Sequence, residues 1–252
     1  MYNYLRHLRT YLIIKRKEII NTLDIRQSNN YTPFIILCQP RSGSTLLHTY
    51  LNSNPQIKSY GETLREHLEE DAHALDRVTI EDLVFRPHST TIKAVGLKIF
   101  YEYSDDKQYK EIFKQIVNRK DVHVIHLIRK DTLKLFTSLK TAEATNIWSI
   151  SDASFANKQN KIKIDPNEYE AFLNKYTSRW QLMSQLFERH NCLTVEYESL
   201  VSNPQTALDS IQRFLKVKPR KLFTLLKKQN PETIEIILET IKETKEEFPT
   251  NP

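Results

Sequence analysis

The stretch FIILCQPRSGSTLLHTYL, residues Phe34 to Leu51, decides the fold. Phe34–Cys38 is a short all-apolar run, as in a strand buried on both faces. A polar loop with one glycine follows. From Thr45, Leu46/Tyr50 and Leu47/Leu51 recur as i,i+4 pairs of a helix. Strand, glycine loop and helix form the layout of a phosphate-binding loop. Gly43 permits a turn whose backbone N–H groups converge on an anion, and the helix N-terminus that follows favours negative charge. The motif of nucleotide hydrolases, G-x-x-x-x-G-K-[ST], is nonetheless missing. Ser44 stands where that motif has its lysine, and the basic residue, Arg41, precedes the glycine. The competing reading is a plain strand-to-helix turn.

Outward from this loop, apolar and amphipathic segments alternate. Strands are expected at 93–100, 122–129 and 192–197. Helices are expected at 62–76, 107–119, 131–145, from Asp165 and Pro166 to about 189, after Asn203 and Pro204, and twice within 219–248. Strands alternating with helices predict an α/β fold, a parallel sheet with helices on both faces. Residues 1–30 read as a basic amphipathic helix and linker, with residues 31–252 as the main domain. That helix either packs on the domain edge or docks weakly on an anionic membrane surface. The polar stretch 148–164 has no periodicity and reads as a loop or lid.

The 252 residues carry a formal charge of +6 spread along the chain. This suits a lysine-rich surface or a cleft for a polyanion, and no nucleic-acid motif favours a nucleic-acid partner. The longest apolar run near the N-terminus, Tyr11–Ile14, is too short for a secretory leader, and a cytoplasmic protein is expected. Cys38 and Cys192 are expected as reduced core thiols, and no metal site is expected. Only three glycines occur, Gly43, Gly61 and Gly96, several-fold fewer than average usage of about 7%. Each is expected to meet a backbone need.

Arg129 ends the third long strand, and Ser138 lies inside the following helix. An arginine at a strand tip and a hydroxyl on the next helix can share one phosphate. A magnesium-binding ATPase strand would end in Asp instead. Asp131 is placed to cap the next helix. His126 and His123 face opposite sides of the strand and read as structural.

The loop PRSGSTLL resembles the 5′-phosphosulfate loop of sulfotransferases that use PAPS, 3′-phosphoadenosine 5′-phosphosulfate. VHVIHLIRKDTLKLFTSLKTA is similar to the family's 3′-phosphate segment, CLTVEYESLVSNPQ to its Tyr-Glu-x-Leu stretch, and LKKQNPETIEIILE to a C-terminal region of nodulation-type members. The resemblance implies PAPS as co-substrate and a sulfotransferase that acts on a hydroxyl acceptor, a saccharide by analogy with the nodulation type. It places Arg41, Ser42, Gly43, Ser44, Thr45 and Leu46 on the 5′-phosphosulfate, and Arg129 with Ser138, or Thr137, on the 3′-phosphate. Tyr197, Lys227, Lys228 and Gln229 are further nucleotide contacts by resemblance. Gly61-Glu62 is similar to the Gly-Glu of relatives, so Glu62 is the candidate general base, with Glu66 in reserve. Lys98 and Arg41 are candidates to stabilise charge. Trp148 is either an acceptor-side ring or core. The rival readings are a non-catalytic binding module of the same fold and a P-loop kinase or hydrolase.

Overall fold

The computed structural model describes residues 26–145 and 164–226, with isolated positions between 12 and 19. Its centre is a five-stranded, all-parallel sheet. The strands are β2 (Thr32–Cys38), β3 (Ile57–Ser59), β5 (Ala94–Phe100), β6 (His123–Ile128) and β7 (Cys192–Glu196), in the order β3-β5-β2-β6-β7. A separate antiparallel pair joins β1 (Gln27–Ser28) to β4 (His88–Ser89).

Every residue of β2 and β5 is buried, which requires cover on both faces. The cover comes from the helical connections: α1 (Ser44–Asn52), α2 (Thr63–Glu70), α3 (Ile80–Leu83), α4 (Lys110–Asn118), α5 (Thr132–Thr145), α6 (Pro166–Leu186), α7 (Tyr197–Ser202) and α8 (Pro204–Phe214). Each fully buried Ile or Leu of these strands contributes about 1.5–3 kcal/mol relative to exposure. The β2–β5 contact is tight. A Cβ on Gly96 would lie 2.2 Å from the Phe34 carbonyl oxygen, so the glycine meets a packing need.

Local signals fix the helix ends. Asp131 Oδ1 accepts a bond from the Lys134 amide at 2.9 Å, and Asp165 Oδ1 accepts one from the Asn167 amide at 2.9 Å beside Pro166.

The four expected strands are present. The short edge strand β3 escaped the sequence reading because its three residues are too few to show a period. Two expectations are corrected. Residues 219–226 form no helix. They run instead against α1, where the Phe223 amide donates to Ser53 Oγ at 3.1 Å and the Thr49 and Thr224 hydroxyls pair at 2.7 Å. Cys192, expected in the core, begins the edge strand β7 and is exposed, although its thiol donates to the Phe187 carbonyl. Cys38 is buried, and burial pushes its thiol up to about 11, so it stays protonated. The 148–163 stretch with Trp148, and Lys227, Lys228 and Gln229, lie outside the described residues, as does most of the N-terminal segment.

The chain leaves β2 towards β3 and β5 on one side, then crosses to β6 and β7 on the other. The strand order therefore reverses at β2, and parallel sheets bind ligands beyond the carboxyl ends of strands at such a point. The Gln39–Gly43 loop sits there.

Candidate active site

The loop after β2 is held in an unusual backbone shape. Arg41 and Gly43 both have positive φ, 71° and 92°. The Ser42 amide and hydroxyl both donate to the Gln39 carbonyl, at 3.2 and 2.7 Å. The Ser42 side chain is thus spent inside the loop. Gly43 caps α1 without a side-chain bond, so the first amides of the helix face the strand tips. The left-handed turn at Gly43 is reinforced by packing: a Cβ there would lie 2.3 Å from Cδ2 of Tyr197.

Tyr197 was expected at the end of a strand. It opens α7 instead, and its ring lies between Gly43 and the Arg129 guanidinium, 4.6 Å from the ring centre. Arg129 donates from Nη1 to the Arg41 carbonyl at 3.2 Å, while its buried Nε has no partner among the described residues. Arg41 donates from Nε to Ser138 Oγ at 3.1 Å. Arg41, Arg129 and Ser138 therefore converge, although 97 residues separate the first from the last. Burial, then the Arg129 charge, pulls the Arg41 pKa below its usual value. A site that crowds two guanidiniums is short of negative charge. Thr137 points elsewhere: its hydroxyl donates to the Leu133 carbonyl within α5.

Glu198, which the sequence reading passed over, fixes the chain just after Arg129. Its two carboxylate oxygens accept from the Lys130 and Asp131 amides at 3.3 and 3.2 Å. The signal was available in the Tyr-Glu-x-Leu stretch, where the glutamate adjoins Tyr197.

On the other side of the loop, Lys98 projects from β5. It is 3% exposed, not a solvent-facing strand lysine. Its Nζ donates to Thr45 Oγ1 at 3.0 Å and to Glu62 Oε1 at 2.6 Å. Glu62 caps α2 directly after Gly61, whose φ is +67°. Its second oxygen faces Arg65 Nη1 at 3.0 Å. Arg65 is thus a second cation on this carboxylate, and its i,i+3 position made it findable. Glu66 is exposed on the same helix and does not line the cavity.

A cavity of about 490 Å³ opens from Arg41, Ser44, Thr45 and Glu62. Its far wall comes from the turn after β5 and from α6. Phe100, Tyr103, Phe172 and Tyr176 supply aromatic surface, with Glu102, Lys175 and Arg179 among the charged groups. Its lining holds four cations, Arg41, Arg65, Lys175 and Arg179, and four carboxylates, Glu62, Glu102, Asp106 and Glu143. Behind the wall, the Tyr101 hydroxyl and His126 Nε2 are 2.5 Å apart. Burial holds His126 down at about 4, so it is neutral and accepts from the tyrosine. His123 packs against Phe214. Among the described residues, no group of three His, Cys, Asp or Glu side chains is placed to hold a metal ion, and no helix is long and apolar enough to cross a membrane.

The chain is similar to several known proteins. The model of a family described as the sulfotransferase family matches residues 33–122, the segment that carries the loop, Glu62 and Lys98. Nodulation protein H of Rhizobium tropici is 28% identical over 193 residues, 73% of this chain and 75% of that one. Nodulation protein H of Rhizobium meliloti strain 1021 is 23% identical over 236 residues, 87% and 92% of the two chains. Among solved structures, the sulfotransferase from Alicyclobacillus acidocaldarius overlaps 79% of this chain and 86% of its own, with a TM-score of 0.47 and 15% identity. Mouse sulfotransferase SULT7A1, solved with PAP, overlaps 83% and 66%, with a TM-score of 0.42 and 15% identity. A glycine loop that lacks the hydrolase lysine, a matching segment of the sulfotransferase family over residues 33–122 and relatives spanning most of the chain lead to one conclusion: this chain is a sulfotransferase enzyme, similar to that family.

Proposed function

We propose that the enzyme moves the sulfuryl group of PAPS to a hydroxyl of a saccharide, with Glu62 as general base. One observation carries the reading: Lys98 touches the phosphate loop through Thr45 and the base through Glu62 at once. A single buried cation thus joins the place where a leaving phosphate would sit to the place where a proton must go.

In the transfer, the acceptor oxygen forms a bond to sulfur as the bond from sulfur to the bridging oxygen breaks. The electron pair of the broken bond stays with the 5′-phosphate, and the acceptor proton goes to Glu62. Before transfer, Lys98 and Arg65 pair with the Glu62 carboxylate. As negative charge grows on the bridging oxygen, Lys98 is drawn towards it. Glu62 then shares Lys98 with the leaving group and is free to take the acceptor proton. Arg41 shares the stabilisation of the leaving phosphate. Arg129 and Ser138 receive the 3′-phosphate, and the amides from Gly43 to Leu46 receive the 5′-phosphosulfate, while the Ser42 amide stays within the loop. The balanced charge and aromatic surface of the cavity favour a neutral polar acceptor, whose ring C–H face packs on aromatic rings while its hydroxyls meet the charges.

Two measurements test this. Adenosine 3′,5′-bisphosphate should raise the melting temperature with or without Mg²⁺; a response only to Mg-ATP would sink the reading. Glu62→Gln should lower transfer by about 10²–10⁴-fold and keep the bisphosphate-induced shift. Transfer at the wild-type rate would remove Glu62 from the role of base.

A further inference from the structure

Two opposite charges on the far wall of the cavity have no partner among the described residues. Of the four carboxylates in the lining, Glu62 is held by Lys98 and Arg65. Asp106 accepts from the Gln108 amide at 2.9 Å, and Glu143 faces Lys140 at 4.0 Å. The Glu102 carboxylate has no hydrogen bond or ion pair among the described residues, although the residue is half-buried. The nearby Arg179 does not answer it, because Arg179 is paired with Asp105 at 3.0 Å. Lys175, one helical turn before Arg179, lines the same cavity, and its ammonium has no partner among the described residues.

Glu102 feels the Lys175 charge yet does not bond it. Burial is the leading influence on Glu102 and raises its pKa, while Arg179 and Lys175 oppose the rise. An acceptor that fills this space must satisfy both groups or desolvate both without return. A cationic acceptor would suit Glu102 and repel Lys175. An anionic one would do the reverse. A purely apolar one would leave both unsatisfied. A hydroxyl both donates and accepts, so neighbouring hydroxyls can donate to the carboxylate and accept from the ammonium.

We propose that Glu102 and Lys175 form a hydroxyl-reading pair that selects a polyol acceptor and sets which of its hydroxyls reaches Glu62. The proposal rests on the sulfuryl-transfer reading above and adds residues outside the nucleotide site. It assigns the turn after β5 and the middle of α6 to acceptor selection.

The test uses the full chain and two probe acceptors, methyl β-D-glucopyranoside and cyclohexylmethanol. The first presents several hydroxyls and the second only one. Labelled PAPS reports transfer, and ligand-observed NMR with adenosine 3′,5′-bisphosphate present reports acceptor binding without turnover. Glu102→Leu should raise KM for the glucoside about tenfold or more, the scale of losing a hydrogen bond to a charged group. The rise in KM should exceed any fall in kcat. Glu102→Gln, which keeps an acceptor oxygen, should fall between wild type and Glu102→Leu, and Lys175→Met should shift KM in the same direction. The NMR signal of the glucoside should weaken in the same order. KM for cyclohexylmethanol should move less than twofold in all three variants.

Equal KM changes for the two probes, or none for the glucoside, overturn the pair. So does a wild-type enzyme that binds neither probe or prefers cyclohexylmethanol. If the bisphosphate fails to stabilise the wild-type protein, the sulfuryl-transfer reading fails first. A preserved bisphosphate shift with an unmoved glucoside KM sinks only the pair. Circular dichroism of each variant separates these outcomes from misfolding.

Discussion

The two sides of the active site are built differently. The phosphate side is made of backbone and tightly packed side chains. Gly43 fits under Tyr197, Tyr197 under Arg129, and Glu198 clamps the two amides that follow. The proposed acceptor side is a wall of aromatic rings with charged groups, two of them unpartnered among the described residues. A site for an invariant nucleotide can be rigid, because its ligand never changes. A site for an acceptor must leave polar groups free to be completed by that acceptor. Lys98 belongs to both sides and connects them.

The largest effect expected from breaking this arrangement is at Gly43. An alanine there must hold a left-handed backbone, which costs about 1–2 kcal/mol, and its Cβ would overlap the Tyr197 ring. Gly43→Ala should therefore lower unfolding stability by about 2 kcal/mol or more. The bisphosphate-induced shift in melting temperature should disappear. Denaturant titration and the thermal shift measure the two effects. Wild-type values for both would mean that Tyr197 is free to swing away, and the phosphate side would not be rigid.

Lys98→Met tests the joint. Removing one partner of a buried pair is costly, but Glu62 keeps Arg65, so a stability loss of about 1–3 kcal/mol is expected. Transfer should fall by about 10²–10³-fold, the scale of one lost charge-stabilising donor. The double variant with Glu62→Gln should lose less activity than the two single losses multiplied together, because the residues act as one unit. Fully multiplicative losses would separate Lys98 from the base and leave two unconnected halves.

The same contrast explains what the sequence could reveal. The proposed phosphate side could be marked as a candidate because its residues are grouped locally. PRSGST follows an apolar strand, Arg129 ends another, and Ser138 lies nine residues further on. Each residue type had a phosphate-binding reading at a strand tip, beside a plain structural one. The convergence of Arg41 with Ser138 could not be read, since it depends on how β2 and α5 come together. The far wall of the cavity was not legible at all. Glu102 lies in a single turn with no period, and Lys175 looks like any surface lysine of a long helix. Only the packing of α6 against the turn after β5 brings them to one cavity. Cys192 misled for a related reason: an apolar strand pattern does not say whether the strand lies at the centre or the edge of the sheet.

The smallest expected effect concerns what anchors the acceptor wall. Tyr101 begins the turn that carries Glu102 and Tyr103, and its hydroxyl bonds His126 on β6. Burial holds His126 near 4, whereas the exposed group in the unfolded chain titrates near 6.5. The unfolded chain therefore takes up this proton first as the pH falls. The stability linked to His126 is fully present above about 6.5 and is lost as the pH falls through about 4, a loss of about 3 kcal/mol at most. His88, His123 and His190 are lowered too, so they retain an acid slope of their own. His126→Gln keeps an acceptor for the Tyr101 hydroxyl and removes the titrating ring. Its unfolding free energy should fall less steeply than that of the wild type between pH 6.5 and 4, while its bisphosphate shift at neutral pH stays the same. Parallel slopes for the two proteins would show that His126 is not held neutral by burial. A lost bisphosphate shift would show that the wall and the phosphate side are one cooperative unit, and the division between them would fall.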